Sequence, residues 1–566
     1  MSNSSMSNSD VAAVLEQTAD LIELTDGNPH RARAFARAAR TIGDLEDAVE
    51  DRLRDGSLTE VSGIGDAMTD HVADILDTGT FPLHDELMNA IPPGLLEVLR
   101  VKGLGTKRTR RLWTELEITS LDELEAAAEN DRITSLNGFG AKTQRNILEN
   151  VRQLRSYKSQ WRLPDVRSAV DPFLDDLRGL DLVQRAAPTG ALRRHVPTLR
   201  QATLVVATDA PDALQAWVAD RVPVSNADEN EHLVATLPDG IPLHLHVVPA
   251  SRFGTEWWRT TGSADHRAAF EAAHGAPDAH RQEEDVFAAA GLPTIPPELR
   301  EDRGVLAAAA EGTLPSLLTA DDLAGCLHNH STYSDGSASL ADMAEAARAL
   351  GFTYFGVCDH SQSLRIADGL SPAEVRRQRD EVQALNESYA QDEDGAFRVV
   401  HGIESDILGD GTLDYDDEVL SIFDFVLASV HTGFSMSEAE ATERVVRAVQ
   451  NPHTRILGHP TGRLLLAREG YPLDHERVIE ACAEHDVAIE LNANPYRLDL
   501  DWRWLRAATD HGVLISVNPD AHSPDELRNV TWGVTVGRKG WLEPSQTLNA
   551  KSLSAFQAWL AEPTGA

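Results

Sequence analysis

From residue 324 onward the chain alternates two hydrophobic patterns. Short apolar runs, each read as a buried strand, end in polar residues at 328–330, 359–360, 404, 431, 459, 492 and 520–522. Most are followed by a stretch with helical periodicity, at 339–350, 372–390, 436–450, 474–485 and 500–511. Strand and helix in alternation predict parallel βα units that close into a barrel, whose chemistry gathers at the C-terminal ends of the strands.

The residues at those ends are ligand types. His328, His330, Asp335, His360, Glu404, His431, His459, Asp520 and His522 form a set of nine imidazoles and carboxylates. One four-coordinate ion needs only three or four of them, so the set implies two or three ions close together, with Glu404 able to bridge. A lone histidine at a strand end is more often a hydrogen-bonded structural residue. His328-Asn-His330 and Asp520-Ala-His522 are different, because alternate residues of an extended segment point the same way and can grip one ion together.

His328-Asn-His330 with Asp335, Asp359-His360-Ser361, Gly402-Ile403-Glu404-Ser-Asp406, Ser429-Val-His431, Gly458-His459-Pro460 and Asp520-Ala-His522 resemble the successive motifs of the PHP (polymerase and histidinol phosphatase) domain. The resemblance implies a distorted (βα)7 barrel with a trinuclear Mn or Zn site and phosphoester hydrolysis, in which Glu404, Asp335 and His330 take the catalytic positions. It further implies one ion among His328, His330, Glu404 and Asp520, a second among Asp335, His360 and His459, and a third among Glu404, His431 and His522. Clustered divalent ions activate water and neutralise phosphoryl charge. Imidazole and carboxylate without thiolate suit Mn2+, Zn2+ or Fe2+. Arg365, Asn494 and Arg497 are placed by position alone near the mouth, either to contact phosphate or to support the ligands from behind.

Upstream, Val61-Ser-Gly63-Ile-Gly65, Val101-Lys-Gly103-Leu-Gly105 and Leu136-Asn-Gly138-Phe-Gly140 each separate two helical segments, at a spacing of roughly 40 residues. One Gly-x-Gly is an ordinary turn. Three of them, each exposing backbone N–H groups beside a helix N-terminus, resemble helix-hairpin-helix motifs that hold DNA phosphates. Lys107 and Arg108 lie in a basic island, Arg100 to Arg111, with no acidic residue from 98 to 114. Such a run is usually a solvated face; in an acidic chain it reads as a polyanion contact.

Residues 28–40, Thr261-Gly262-Ser263 with Asp265-His266, and the stretch 291–302 resemble family X DNA polymerases of the bacterial and archaeal kind, which carry a PHP domain behind the polymerase region. The resemblance spans nearly the whole chain after its Ser/Asn-rich first nine residues. It implies an N-terminal helix-hairpin-helix domain at 1–90, a second at 91–165, an α+β nucleotidyltransferase-like palm and thumb at 166–310, and the PHP barrel at 320–566.

The same resemblance exposes a loss. Where the family carries Gly-Asp-x-Asp, this chain has Gln201 and Thr203, and His244 stands at the third acidic position. Mg is a hard ion held by carboxylates, so polymerisation should be lost. His244-x-His246 is read as two polar residues on an exposed strand face with no acidic cluster beside them. The family's lyase lysine is replaced by His71, with Ala67 at a nearby basic position, which puts that activity in doubt as well.

Length and charge complete the picture. The chain's 566 residues should divide into roughly three to five domains. There is no apolar stretch of membrane-spanning length and no charged-then-apolar start, so a cytoplasmic location is the default; DNA is the partner that the family resemblance implies, and a monomer is expected. Cys326, Cys358 and Cys482 are unpatterned, as in a reducing compartment. Acidic residues number 90 against 51 Lys and Arg, of which only six are lysine. That surface suits a high-salt cytoplasm, although a high-GC genome also trades Lys for Arg. The expected function is 3′-to-5′ exonucleolytic or 3′-end processing in repair. The rivals are an active polymerase with unusual metal ligands, a histidinol-phosphatase-like enzyme and a non-catalytic repair scaffold.

Overall fold

Gly63, Gly103 and Gly138 all take left-handed φ values, 96°, 89° and 88°, which only glycine adopts without strain. Each is followed by a buried apolar residue, Ile64, Leu104 or Phe139, and then by a second glycine that caps a helix: Asp66–Thr78, Thr106–Leu116 or Ala141–Lys158. The turns close identically, Ile64 N–H on Val61, Leu104 N–H on Val101 and Phe139 N–H on Leu136, at 3.0, 2.9 and 3.0 Å. The sequence repeat is therefore a structural repeat.

A computed structural model describes residues 6–562 except 26, 44, 46, 47, 62, 229–231 and 392–396. Ser62 of the first hairpin and the first five residues of the Ser/Asn-rich start lie outside the described residues. The chain divides between Ser159 and Gln160 into two units. The first is helical, with one apolar cluster around Leu15, Phe35 and Phe81 and another around Val98, Leu112, Leu124 and Val151.

The second unit begins with a five-stranded sheet in the order Arg185–Pro188, Ala202–Ala207, Pro242–Val248, His232–Thr236, Val224–Asp228, covered by the helix Leu163–Arg178. Its strands 202–207 and 242–248 run parallel, and Thr203 lies level with His244.

Seven parallel strands follow: β1 (Gly325–Cys326), β2 (Tyr354–Val357), β3 (Arg398–Asp406), β4 (Phe425–Ser429), β5 (Thr454–Leu457), β6 (Ala488–Asn492) and β7 (Ile515–Asn518). They pair in chain order, and a parallel bridge between Asn329 and Ala521 brings the last strand back to the first. The helices 340–349, 372–389, 438–449, 475–484 and 502–510 occupy the stretches where 3.6-residue periodicity predicts them.

Inside the barrel Leu327, Tyr354, Phe425, Leu427 and Ile456 pack together, and Phe556 of the C-terminal helix Leu553–Ala561 stacks on Tyr354 at 4.6 Å. That apolar plug fills one end. Gly402 is required there for space, because a Cβ would lie 2.4 Å from the Phe425 ring. The polar strand ends are thus left to form the opposite mouth. Among the described residues no helix is long and apolar enough to cross a membrane.

Candidate metal centre

Glu404, near the end of β3 and 1 % exposed on its side chain, is the hub. Five imidazoles converge on its two oxygens: His360 at 2.9 Å, His459 at 2.9 Å, His431 at 3.2 Å, His328 at 3.3 Å and His330 at 3.7 Å. A parallel bridge from His360 to Glu404 fixes the first of these, since β2 runs beside β3. His328 and His330 follow β1 two residues apart and both reach Asp520 Oδ1, at 3.5 and 3.2 Å. Asp520 itself has a left-handed φ of 53°, a strained conformation for a non-glycine residue at a converging site.

Three groups have ligand atoms close enough to share an ion: His328, His330 and Asp520; His330, Asp335, His360 and His522; and His360, Glu404 and His431. The expected partition therefore needs correction. His522 stands beside Asp335, 3.4 Å away, and not with His431; His459 stands on Glu404, and not with Asp335 and His360. Barrel closure is the reason. The bridge from Asn329 to Ala521 lays the segment after β7 against the segment after β1, while β5, which leads to His459, pairs with β4, which leads to His431.

The set fits divalent ions on an observation of its own. His328 Nε2, His330 Nδ1, His360 Nδ1, Glu404 Oε2, His431 Nε2 and His459 Nδ1 are all buried without a hydrogen-bond partner. Buried polar atoms are normally satisfied. Six orphans from six residues of one predicted ligand set are the pattern expected of metal ligands.

The electrostatics agree. Burial would raise the Glu404 carboxyl, but His431, His328 and His360 outweigh it and hold it well below the carboxylate range. Asp520 is held low in the same way, against burial, by His328, His330 and Arg497. Burial opposes charge on His360 too, yet Glu404 and Asp335 push it up to about 10. His330, buried and beside His522 and His360, is pushed down to about 3.

A layer behind the ligands was not legible from strand ends alone. Glu490 of β6 is fully buried and accepts from His328 Nδ1 at 2.7 Å, Asn518 at 2.9 Å, the His459 N–H at 2.7 Å and Asn492 at 3.2 Å. Asp406 accepts the His431 N–H at 3.1 Å and lies 3.3 Å from its Nδ1. Asp359 accepts from Ser331, Ser334 and Gln378. Such carboxylates fix the ring and tautomer of a ligand. The available signal was Glu490 inside the apolar run 487–491.

At the rim, Arg497 Nε lies 3.2 Å from Asp520 and Arg365 is exposed. Asn494 is engaged in its own turn, accepting the Tyr496 N–H at 3.0 Å.

The polymerase-like sheet carries a cleft of about 520 Å³ lined by Gln201, Thr203, Arg200, Arg259 and Arg267 among others, with no carboxylate among the described residues of its wall. Gln201 and Thr203 bond each other at 3.4 Å, and His244 lies level with Thr203 on the next strand. These residues do not fit Mg. Arg193 and Arg194, upstream of these positions, are engaged with carboxylates: Arg193 forks onto Glu283, and Arg194 pairs with Glu301 at 2.7 Å. His244 and His246 correct one expectation: both are half-buried rather than exposed, and Glu256, only 7 % exposed, sits 3.0 Å from His246. In the first unit His71 packs between Phe35 and Phe81, at 5.6 and 4.5 Å, and burial lowers its pKa. An imidazole offers no amine for a Schiff base.

Gly63, Gly65, Gly103, Gly105, Gly138 and Gly140 are all exposed, as is Lys107. None of the three helices they precede has a side-chain cap. Their first-turn N–H groups therefore suit an anion. Part of the basic island is structural: Arg108 bonds the Gly103 carbonyl at 2.8 Å and Arg111 bonds that of Asn137 at 2.6 Å.

Comparison with known proteins agrees with this organisation. Residues 6–81 match a helix-hairpin-helix domain, 95–153 a SAM-like helix-hairpin-helix tandem, and 327–494 the PHP domain. PHP domains are metal-dependent. The barrel region is similar to a probable phosphatase of Acetivibrio thermocellus, 30 % identical over 30 % of this chain and 65 % of that protein, and to a probable phosphatase of Vibrio atlanticus, 28 % identical over 34 % and 76 %. DNA polymerase/3′-5′ exonuclease PolX of Bacillus subtilis is 31 % identical over 98 % of this chain and 99 % of its own length. The chain belongs to the family X DNA polymerases that carry helix-hairpin-helix domains and a C-terminal PHP domain.

Proposed function

We propose that this protein is a metal-dependent phosphoesterase that trims or unblocks 3′ ends of DNA during repair, and that its polymerase activity has been lost. The observation that carries the reading is the group of six buried, unpartnered ligand atoms around Glu404, at the mouth of a barrel whose sequence keeps all nine ligand positions.

His328, His330, Glu404 and Asp520 would hold one ion, Glu404, His431 and His459 a second, and Asp335, His360 and His522 a third. Bound Mn2+, Zn2+ or Fe2+ would supply Lewis acidity toward water and the phosphoryl group. Glu490 and Asp406 hold the ligand rings in place. Asp335, 35 % exposed on its side chain, is the most open carboxylate of the set and faces arriving substrate. Arg497 brings positive charge to the same side. The uncapped hairpin helices, with Lys107 and Arg108, would hold the DNA backbone. The protein would act as a monomer in the cytoplasm, and its acidic, Lys-poor surface suits high salt.

The names of the barrel relatives suggest a small-molecule phosphatase as an alternative, but that reading leaves three hairpins without a use. The test is a 5′-labelled primer-template with Mn and dNTPs, at low and molar KCl. Shortening from the 3′ end without extension is expected, and it should vanish in His328→Ala/His330→Ala. Primer extension would refute the loss of polymerisation; monoester hydrolysis without DNA degradation would refute the nuclease reading.

A further inference from the structure

Two large apolar side chains stand out from the surface among the described residues: Ile366, 87 % exposed, and Tyr496, 57 % exposed. Both lie on loops at the metal-bearing mouth. Ile366 sits in the turn Arg365–Ala367 after the β2 ligand His360, and Tyr496 follows β6. In a seven-stranded ring those strands lie across the mouth from each other. Each apolar residue is next in sequence to an arginine, Arg365 or Arg497.

Neither loop is loose. Around Ile366, Leu370 N–H bonds the His360 carbonyl at 2.9 Å, Ser363 N–H bonds Asp414 at 2.6 Å, and Gly369 packs so closely on Ser361 that a Cβ would lie 1.9 Å from its carbonyl oxygen. Around Tyr496, its carbonyl accepts the Leu465 N–H at 2.6 Å and Arg463 bonds the Arg497 carbonyl at 2.9 Å. Arg162 stacks on the Tyr496 ring at 3.8 Å from its centre, and is itself held by Asp165 at 2.8 Å. One face of the ring is thereby backed by a guanidinium, while the residue as a whole stays 57 % exposed. An aromatic ring and an aliphatic side chain carried on anchored loops and held out in water have the chemistry of a base-stacking platform, with the exposed Arg365 and the Asp520-paired Arg497 adding positive charge beside them.

We propose that Tyr496 and Ile366 form a rim that holds the unpaired terminal bases of a nucleic-acid strand whose end phosphodiester enters the metal mouth. The inference rests on the phosphoesterase reading above and adds the side chains that would hold the end of the strand. A flat ring reads no sequence, so the grip is indifferent to base identity.

The test uses full-length protein with Mn and a 5′-labelled single-stranded oligonucleotide, alongside the same strand ending in two tetrahydrofuran residues that lack bases. Tyr496→Ala should raise KM for the normal end about 10-fold, with kcat little changed. Tyr496→Phe should restore it, and Ile366→Ala should act in the same direction. On the baseless end wild type should fall to the level of Tyr496→Ala, because no base is there to hold. An unchanged KM in Tyr496→Ala, or an equal loss on both ends, overturns the rim. Absence of any phosphodiester cleavage by wild type overturns the phosphoesterase reading, and the rim with it.

Discussion

Glu490→Gln isolates the layer behind the metal ligands. Each Glu490 oxygen accepts twice, Oε1 from His328 Nδ1 and Asn518 and Oε2 from the His459 N–H and Asn492. A glutamine keeps the shape but has one acceptor oxygen, so whichever way its amide turns, its NH2 faces two donors. Turned toward His459, it orphans a buried backbone N–H, at about 1–3 kcal/mol. Turned toward His328, it can be accommodated if that ring changes tautomer, accepting at Nδ1 and carrying its proton on Nε2. The second orientation is the cheaper one, and it blocks the atom that faces Glu404 and Asp520 at 3.3 and 3.5 Å. Loss of such an outer partner costs roughly 10–100-fold in metal affinity, or about 1.4–2.7 kcal/mol. Calorimetric titration of chelator-stripped protein with Mn measures it directly, and circular dichroism checks that the variant is folded. A folded Glu490→Gln protein that binds the same number of Mn ions, with an affinity within about twofold of wild type, would refute the claim that Glu490 sets the His328 tautomer.

Further outcomes follow from the same structure. Mn at about 100 times its dissociation constant should stabilise wild type by about 2.7 kcal/mol, read as a rise in Tm that chelator abolishes and His328→Ala lacks. Gly103→Ala meets no atom within 4 Å, so its cost is the left-handed φ of 89° alone, about 1–2 kcal/mol. Gly56→Ala, also unobstructed at φ 82° but outside the hairpins, carries the same backbone cost, and only Gly103→Ala should weaken DNA binding in a gel-shift titration. His266 is fully buried with neither ring nitrogen bonded, and burial with Arg300 and Arg194 pushes it from 6.5 down to about 4. The unfolded chain therefore binds the proton first, and stability falls as pH drops from 6.5 toward 4. Between pH 7 and 5 that amounts to roughly 2 kcal/mol, to be seen in urea unfolding and absent from His266→Phe.

The alternation of runs and periodic stretches was enough to place seven strands and five helices, because a strand buried on both faces must be apolar and a helix covering it must be amphipathic. The hairpins were legible for a comparable reason: a left-handed turn needs glycine, and it leaves the same mark each time, at Gly63, Gly103 and Gly138. The expectation that Gln201 and Thr203 replace polymerase carboxylates rests on family resemblance alone, since the two residues are unremarkable in themselves. The environment of His246 was hidden, because its partner Glu256 comes from a helix that periodicity does not tie to that strand.

The exchange of His459 and His522 concerns a partition that came from family resemblance, and barrel geometry is what speaks against it. A ligand's place in sequence gives the strand it terminates, and chain order gives that strand's neighbours everywhere except at the seam. At the seam β7 must be brought against β1, and there the last residues of the barrel meet the first, which is how His522 comes to face Asp335 across 187 positions of sequence, 522 less 335. His459, just after β5 and beside the strand that leads to His431, stands 2.9 Å from Glu404. The same closure explains Glu490. Its strand β6 is next to the seam, so a carboxylate pointing inward there reaches His328 on one side and the His459 backbone on the other, and orients ligands from both sides of the site. A buried charge in such a run is costly unless paired, so its presence in an otherwise apolar strand marks a residue kept for the ligands it positions.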